Sequence, residues 1–198
     1  METPTTTPQL VERAKSADSR AFSQIFRKYR ARLAVIIHYR LGAELRRYGD
    51  VDDVLQETFF RAFRDLASFK YESPGCFMSW LSSIAGHVIS DMARTQSRKK
   101  RQANFVSFRS ESNPGGADPA DSQTPSRIFS EQEGLRRLLA RLDSLPADYR
   151  EIILLTKVEG LSTREAAERL GRSHPAVSLL LHRAIKKFGS LQPRGERA

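Results

Sequence analysis

The sequence predicts an all-α protein with two small helical domains joined by a flexible linker, and three observations support this fold class. Apolar residues recur at helical spacing in both halves of the 198-residue chain, strand signals are absent, and a Pro-, Gly- and Ser-rich stretch separates the halves. We place the first domain at residues 15–104, the linker at 105–130 and the second domain at 131–190. This length suits one ordinary domain or two small ones.

Three amphipathic helices are predicted in the first domain. Their apolar runs begin at Phe22, Val51 and Phe77. Asp50 or Asp52 is the predicted N-cap of the second helix, and Ser-Pro-Gly at 73–75 breaks the chain before the third. Because each helix has one apolar face, we expect the three to pack only against one another.

The predicted linker differs in composition from both flanking domains. Pro, Gly, Ser and Asp dominate residues 105–127, and apolar residues nearly vanish after Phe108. Such a stretch is too long for an ordinary loop inside a compact domain. It therefore divides the chain in two.

The second domain is predicted to contain a helix-turn-helix. Ser162 and Glu165 have the spacing of a capping box, and Gly171 permits a left-handed turn at the end of that helix. Ser173 is the predicted cap of the last helix, with Pro175 in its first turn. On the last helix we expect an apolar side that is buried and an odd exposed leucine, Leu179. The residues expected on the buried side are Val177, Leu181, Ala184 and Ile185.

The charge of the chain indicates a polyanionic partner. The net charge is +10 and the pI is about 10.2, which favours nucleic acid first and an anionic membrane surface second; a solvated basic face is the weaker alternative. Cys76 is the only cysteine, so an internal disulfide and a multi-cysteine zinc site are excluded. Signal-peptide and membrane-span patterns are absent, and we expect a cytoplasmic protein without membrane insertion.

A catalytic cluster is not recognisable in the sequence. The four histidines lack ligand spacing such as HExxH, and no glycine loop is suited to cradle a phosphate. We therefore expect no enzyme activity, no catalytic residues, no metal site and no cofactor.

Two surfaces of the first domain carry candidate binding residues. The polar face of the second helix includes Asp53, Gln56 and Glu57, and spacing alone favours a solvated face there. The third helix ends in a basic run without an acidic residue, which can neutralise phosphates. That run comprises Arg94, Arg98, Lys99, Lys100 and Arg101. Trp80 is expected to be at least partly core, whereas Phe69 and Tyr71 are expected to be freer to stack on bases.

The motifs of both halves together resemble one known family. DVDDVLQETFFRAFRDLASF and GCFMSWLSSIAGHVISDMARTQSRKKR resemble region 2 of the extracytoplasmic-function (ECF) sigma factors, a group of the sigma-70 family. LPADYREIILLTKVEGLSTREAAERLGRSHPAVSLLLHRAIKKF is similar to their region 4. The resemblance covers roughly residues 15–190, and the two motifs at this separation are highly specific.

The resemblance implies a transcription initiation factor that binds core RNA polymerase, directs it to promoters and helps to open the duplex. Asp53, Gln56 and Glu57 match the D-x-x-Q-E motif of the family, which docks on the clamp helices of the largest polymerase subunit. The flap of the second subunit is a further implied contact, and an anti-sigma factor is a candidate partner.

The same resemblance assigns two sets of DNA-binding residues. The set for the −10 element in region 2 is Phe69, Tyr71, Trp80, His87, Arg94, Arg98, Lys99, Lys100 and Arg101. The set for the −35 element in region 4 is Arg172, Ser173, His174, Ala176, Ser178, His182, Arg183, Lys186 and Lys187. The chain departs from the family at Gly86-His87, which bears on base capture by His87, and at Ser178-Leu179-Leu180. Two usual cations are missing from the latter stretch, so we expect a weak −35 anchor.

Two alternatives come from other functional classes. A stand-alone helix-turn-helix regulator would bind DNA without polymerase and would not need the acidic and amide face at residues 53–57. A nucleic-acid-processing enzyme would need the catalytic cluster that the sequence lacks.

Overall fold

Eight α-helices make up most of the described part of the chain, and no strand occurs there, which confirms the all-α prediction. The computed structural model describes residues 6–107, 128–129 and 132–191, and the side chains of residues 100–107 are outside that description. The predicted linker lies almost wholly outside the described residues. The helices are α1 (Thr7–Lys15), α2 (Ser19–Arg40), α3 (Val51–Asp65), α4 (Cys76–Ser107), α5 (Glu133–Asp143), α6 (Ala147–Ile153), α7 (Thr163–Leu170) and α8 (His174–Ser190). Short 3-10 turns lie at Leu45–Arg47 and Leu66–Ser68, and a π turn at Leu154–Val158 continues α6.

Helix α1 was not predicted, and it lies before the predicted start of the first domain. It buries Leu10, Val11 and Ala14 against the bundle. The backbone N–H of Thr6 donates to the side chain of Gln9 at 2.9 Å, which closes the helix start. The apolar run is only two turns long, which is too short to stand out as a periodic pattern.

Helix α2 is the centre of the molecule. Five consecutive residues, Leu33–Ile37, are each at most 2% exposed, so this part of the helix is covered on every side. Helices α1, α3 and α4 cover one side, and the π turn after α6 packs on another. The expectation that the predicted helices of the first domain pack only against one another is therefore wrong, because α2 has more than one apolar face.

The packing of α3 and α4 follows the predicted apolar faces. Asp50 caps α3, because its carboxylate accepts from the backbone N–H of Asp53 at 2.9 Å. Thr58 lies within the apolar face and is fully buried, and its hydroxyl donates to the carbonyl of Val54 at 2.6 Å. Leu81, at 0% exposed, lies on the buried face of α4.

The helix-turn-helix has the predicted boundaries. Ser162 and Glu165 form the capping box of α7, and Gly171 ends that helix with a φ of 61°. Ser173 occupies the N-cap position of α8, although its side chain makes no capping bond, and Pro175 lies in the first turn. None of the helices in the described part of the chain is both long and apolar enough to cross a membrane.

The buried side of α8 is narrower than predicted. Val177 and Ala184 are fully buried, whereas Leu181 is partly exposed and Ile185 is 44% exposed. Ile185 lines a groove of about 450 Å³ between α2, α5 and α8 instead of packing into the core. The prediction for Ile185 is therefore wrong, whereas Leu179, 50% exposed, lies outside as expected.

Replacing Ile36 by Ala should strongly destabilise the protein. Ile36 is 2% exposed at the centre of α2, and a cavity there is expected to lower the free energy of unfolding by about 2–5 kcal/mol. Urea unfolding followed by circular dichroism measures this change. Arg27→Ala, at an exposed position of the same helix, is the control and should change the free energy by less than about 0.5 kcal/mol. An equal loss of unfolding free energy in the two variants would contradict the position of α2 at the centre of the core.

Candidate functional site

The three predicted polymerase-binding residues share the first two turns of α3. Asp53 and Gln56 are exposed, and the side chain of Glu57 is 45% exposed. Asp53 also has a structural role, because its carboxylate accepts from the backbone N–H of Asp50 at 2.9 Å and completes the capping box of the helix. The face is therefore both accessible and held in a defined conformation.

Arg61 links this face to helix α4. Its guanidinium donates to Glu57 at 2.6 Å and to Asp91 at 2.8 Å. The hydrogen bond from Arg61 holds the pKa of the Asp91 carboxyl below its usual range. Sequence reasoning did not identify this link, because Arg61 and Asp91 are 30 residues apart and nothing in the helical spacing joins them. Glu57, Arg61 and Asp91 line a groove between α3 and α4, and the hydrogen bond from Arg61 orients the carboxylate of Glu57 there.

An apolar groove of about 650 Å³ lies between α2 and α3, next to the predicted polymerase-binding face. Phe60 is 63% exposed and Phe63 is 49% exposed, although Phe63 belongs to the apolar stripe of α3 that is otherwise buried. The rings of Phe22 and Phe63 meet edge to face at 4.7 Å. Gln56 lines the same groove. Exposed aromatic rings beside polar side chains are typical of a protein-binding surface.

The aromatic residues of the predicted −10 set are less free than expected. Phe69 is only 7% exposed, and its ring lies 5.2 Å from that of Phe77 and 4.8 Å from that of Trp80. The expectation that Phe69 is free to stack is therefore wrong, because its ring belongs to the core at the start of α4. Tyr71 and Trp80 are half-buried, so each presents only part of its ring.

The polar residues of the −10 set lie along α4. His87, Arg94, Arg98 and Lys99 are all exposed. Arg94 is 3.6 Å from Asp91, an exposed pair that contributes little to stability. Lys100 and Arg101 continue the same helix, and their side chains lie outside the described part. Among the described side chains, Arg94, Arg98 and Lys99 form a row of exposed cations that a phosphate backbone can contact.

The predicted −35 set lies on helix α8 and the turn before it. Most of the set is exposed, and Ser178 is half-buried. The exposed members are Arg172, Ser173, His174, Ala176, His182, Arg183, Lys186 and Lys187. Two members have partners that the sequence did not indicate: Arg172 pairs with Asp148 at 2.9 Å, and the imidazole Nε2 of His174 is 2.9 Å from the hydroxyl of Thr163. The positive charge of Arg172 is therefore partly neutralised by Asp148 of the same domain.

Comparisons with known proteins agree with this architecture. The family model for sigma-70 region 2 matches residues 25–99, and that for sigma-70 region 4 matches residues 135–188. The chain is 31% identical to the ECF RNA polymerase sigma-E factor of Escherichia coli (strain K12), over 80% of this chain and 79% of the relative. It is 33% identical to the ECF sigma factor SigE of Mycolicibacterium smegmatis, over 76% of this chain and 55% of the relative.

Solved structures similar to the chain include CnrH in complex with the cytosolic domain of CnrY, with 28% identity, a TM-score of 0.44, and coverage of 91% of this chain and 93% of that one. Another is the sigma factor RpoE of Bartonella quintana with the anti-sigma factor NepR, with 22% identity, a TM-score of 0.40, and coverage of 84% and 93%.

A helical protein with an exposed acidic and amide face on α3 and an exposed helix-turn-helix fits the class of transcription initiation factors. The chain belongs to the ECF group of the sigma-70 family, on the evidence of both family models and of relatives more than 30% identical over most of its length. Proteins of this family are sigma factors and not enzymes.

Removing Arg61 should release Asp91 from its hydrogen bond. In Arg61→Ala, the pKa of the Asp91 carboxyl is expected to rise toward its ordinary value of about 3.9, because the main cause of the lowering is gone. Nuclear magnetic resonance of the carboxyl carbons across acidic pH measures this pKa. Arg64→Ala is the matched control, since Arg64 pairs with Asp65 at 2.8 Å on the same helix. An unchanged Asp91 pKa in Arg61→Ala would refute the link.

Proposed function

We propose that the chain binds core RNA polymerase through Asp53, Gln56 and Glu57, directs it to specific promoters and assists promoter opening. The acidic and amide face of α3 supports this proposal most directly, because it lies beside the aromatic groove that Gln56 lines. A protein surface with exposed rings next to polar side chains suits a large protein partner. The clamp helices of the largest subunit are the expected docking site, and the flap of the second subunit is the expected contact of the C-terminal half.

The unpaired strand of the −10 element is proposed to contact the start and the solvent face of α4. Tyr71 and Trp80 can each offer a ring edge to a base, and His87 lies exposed about two turns beyond Trp80 on the same helix. The exposed cations at Arg94, Arg98 and Lys99 would then follow the phosphates. Because the ring of Phe69 is buried and lies 4.8 Å from the Trp80 ring, we assign Phe69 a positioning role instead of direct stacking.

Helix α8 is proposed to enter the major groove of the −35 element. Ser173, Ala176 and His182 are exposed on α8 or at its cap and can reach base edges. Arg183, Lys186 and Lys187 are exposed farther along the helix, where contacts with phosphates are expected. Leu179 can touch a thymine methyl group. An anti-sigma factor is a further candidate partner, and we assign no binding site for it among the described residues.

Reversing the charge of Glu57 should weaken polymerase binding. Glu57→Lys places a cation in the acidic face, and we expect the affinity for core RNA polymerase to fall at least about tenfold, or about 1.4 kcal/mol. Size-exclusion chromatography and fluorescence anisotropy with labelled protein measure binding. Glu12→Lys on α1 is the control, because Glu12 is likewise an exposed glutamate paired with a cation on its own helix.

Two outcomes of that experiment separate the candidate functions. Loss of binding in Glu57→Lys alone, with unchanged circular dichroism, supports an initiation factor. Wild-type protein that binds promoter DNA specifically and never binds core polymerase would instead support the stand-alone regulator.

Removing one cation from α8 should reduce the salt dependence of DNA binding. In Lys187→Ala, the slope of log K against log salt is expected to become shallower by about 0.9, because about one fewer counterion is released. Anisotropy titrations of a mixed-sequence duplex at several salt concentrations give this slope. Lys15→Ala on α1 is the control and should leave the slope unchanged. If both variants behave alike, α8 does not contact the phosphates.

A further inference from the structure

An acidic residue lies among the proposed −10 contacts on α4. Asp91 follows His87 by four residues and precedes Arg94 by three, so these side chains share one face of the helix. Arg98, one turn beyond Arg94, continues that face. A bare carboxylate at this position would repel a phosphate backbone. The face is therefore expected to hold DNA more tightly when a nearby cation neutralises Asp91.

Arg61 of α3 supplies that cation. Its guanidinium donates to Asp91 at 2.8 Å, whereas the guanidinium of Arg94 is 3.6 Å from the same carboxylate. The hydrogen bonds to Asp91 and Glu57 raise the pKa of Arg61, so the charge of the guanidinium is retained. Because the closer partner of Asp91 comes from another helix, the donors of Arg94 are left for phosphate oxygens.

The same guanidinium bonds to the proposed polymerase-binding face. Its Nε donates to Glu57 at 2.6 Å, one turn earlier on α3. Asp53 and Glu57 line the groove of about 400 Å³ between α3 and α4, and Asp91 lines it from α4. The two proposed surfaces therefore meet in this groove, and Arg61 contacts a carboxylate of each.

The geometry of these contacts suits an arginine. Nε and one terminal nitrogen of Arg61 donate to carboxylates on two different helices. A planar guanidinium offers such donors in fixed directions, whereas the ammonium group of a lysine is a point charge. The side chain of Arg61 is 27% exposed, so its neighbours cover most of it and restrict its position.

We propose that Arg61 is a positioning residue for both surfaces: it fixes Glu57 for core RNA polymerase, and it neutralises Asp91 for the DNA strand along α4. The inference rests on the proposed function, because it concerns the two binding surfaces named there. It adds two residues that belong to neither predicted set. Arg61 is the shared side chain, and Asp91 is the group whose charge has to be balanced.

The two roles of Arg61 can be separated by a second substitution. Arg61→Ala leaves Glu57 unrestrained and Asp91 without its closer partner, so binding of polymerase and of DNA should both weaken. Adding Asp91→Asn removes the repelling carboxylate and returns the net charge to that of the wild type. This change should restore DNA binding, whereas polymerase binding should stay weak because Glu57 is still unrestrained. A residue that only joined α3 to α4 would not separate the two affinities in this way.

Arg64 and Asp65 provide the matched control. They form an ion pair at 2.8 Å on α3, with side chains that are 64% and 46% exposed, and neither lines the groove between α3 and α4. Arg64→Ala, alone and combined with Asp65→Asn, removes the same charges as the test variants. We expect both control variants to bind polymerase and DNA within about twofold of the wild type.

Anisotropy titrations of the full chain measure both affinities. A fluorescent mixed-sequence single-stranded oligonucleotide at low salt reports DNA binding, and the chain labelled at its N-terminus reports binding to core RNA polymerase. In Arg61→Ala we expect the affinity to fall about threefold for the oligonucleotide and about fivefold for polymerase, as exposed charged pairs allow. In Arg61→Ala with Asp91→Asn, the oligonucleotide affinity should return to the wild-type value while the polymerase affinity stays about fivefold low.

Equal behaviour of Arg61→Ala and Arg64→Ala in both titrations would overturn the proposal. Recovery of both affinities in the double variant, or of neither, would overturn the dual role. If circular dichroism shows that Arg61→Ala is unfolded, Arg61→Gln removes the charge while keeping much of the side chain, and the same comparisons decide. A wild-type chain that binds no core polymerase would refute the proposed function and the docking role of Arg61, whereas the oligonucleotide titrations would still decide whether Arg61 neutralises Asp91. A wild-type chain that binds no oligonucleotide would overturn the DNA role alone.

Discussion

The burial of one stretch of α2, Leu33–Ile37, on every side is the constraint on which the rest of the structure depends. A helix with five consecutive buried residues, Leu33–Ile37, cannot be covered by a single layer of neighbours. Helices α1, α3 and α4 cover one side, and the C-terminal half covers another. Both halves of the chain are therefore built on the same helix. The polar groups at its C-terminal end, Arg40 above all, are bonded to both halves.

The positions of the proposed binding surfaces follow from this arrangement. Because α3 uses its apolar face against α2 and α4, its acidic and amide face is left at the surface, where Arg61 orients Glu57. The C-terminal half directs α5 and the π turn toward α2, so the polar side of α8 stays exposed. The side of α8 that we propose to contact DNA is thus exposed, whereas the groove beside Gln56 is partly filled by Ile128.

Local sequence signals were sufficient for most helices and caps. The caps at Asp50 and Ser162 and the left-handed Gly171 were predictable because each depends on residues within one helical turn. Contacts between distant residues were not predictable. Arg61 with Asp91, Phe69 with Trp80, and Arg40 with Glu159 each join separate structural elements, and one sequence contains no signal for such pairs. Ile185 has the helical spacing of a buried residue, yet it borders a groove. Spacing alone does not distinguish Ile185 from the buried residues of α8, because burial also depends on which neighbouring helices cover the position.

Transcription from a promoter library with core RNA polymerase tests the central claim most directly. The purified chain is added to core polymerase, and the transcripts that start from the library are sequenced. We expect a subset of promoters that share −10 and −35 elements to give transcripts only when the chain is present. Transcription that is the same with and without the chain, under conditions in which another sigma factor is active, would contradict it.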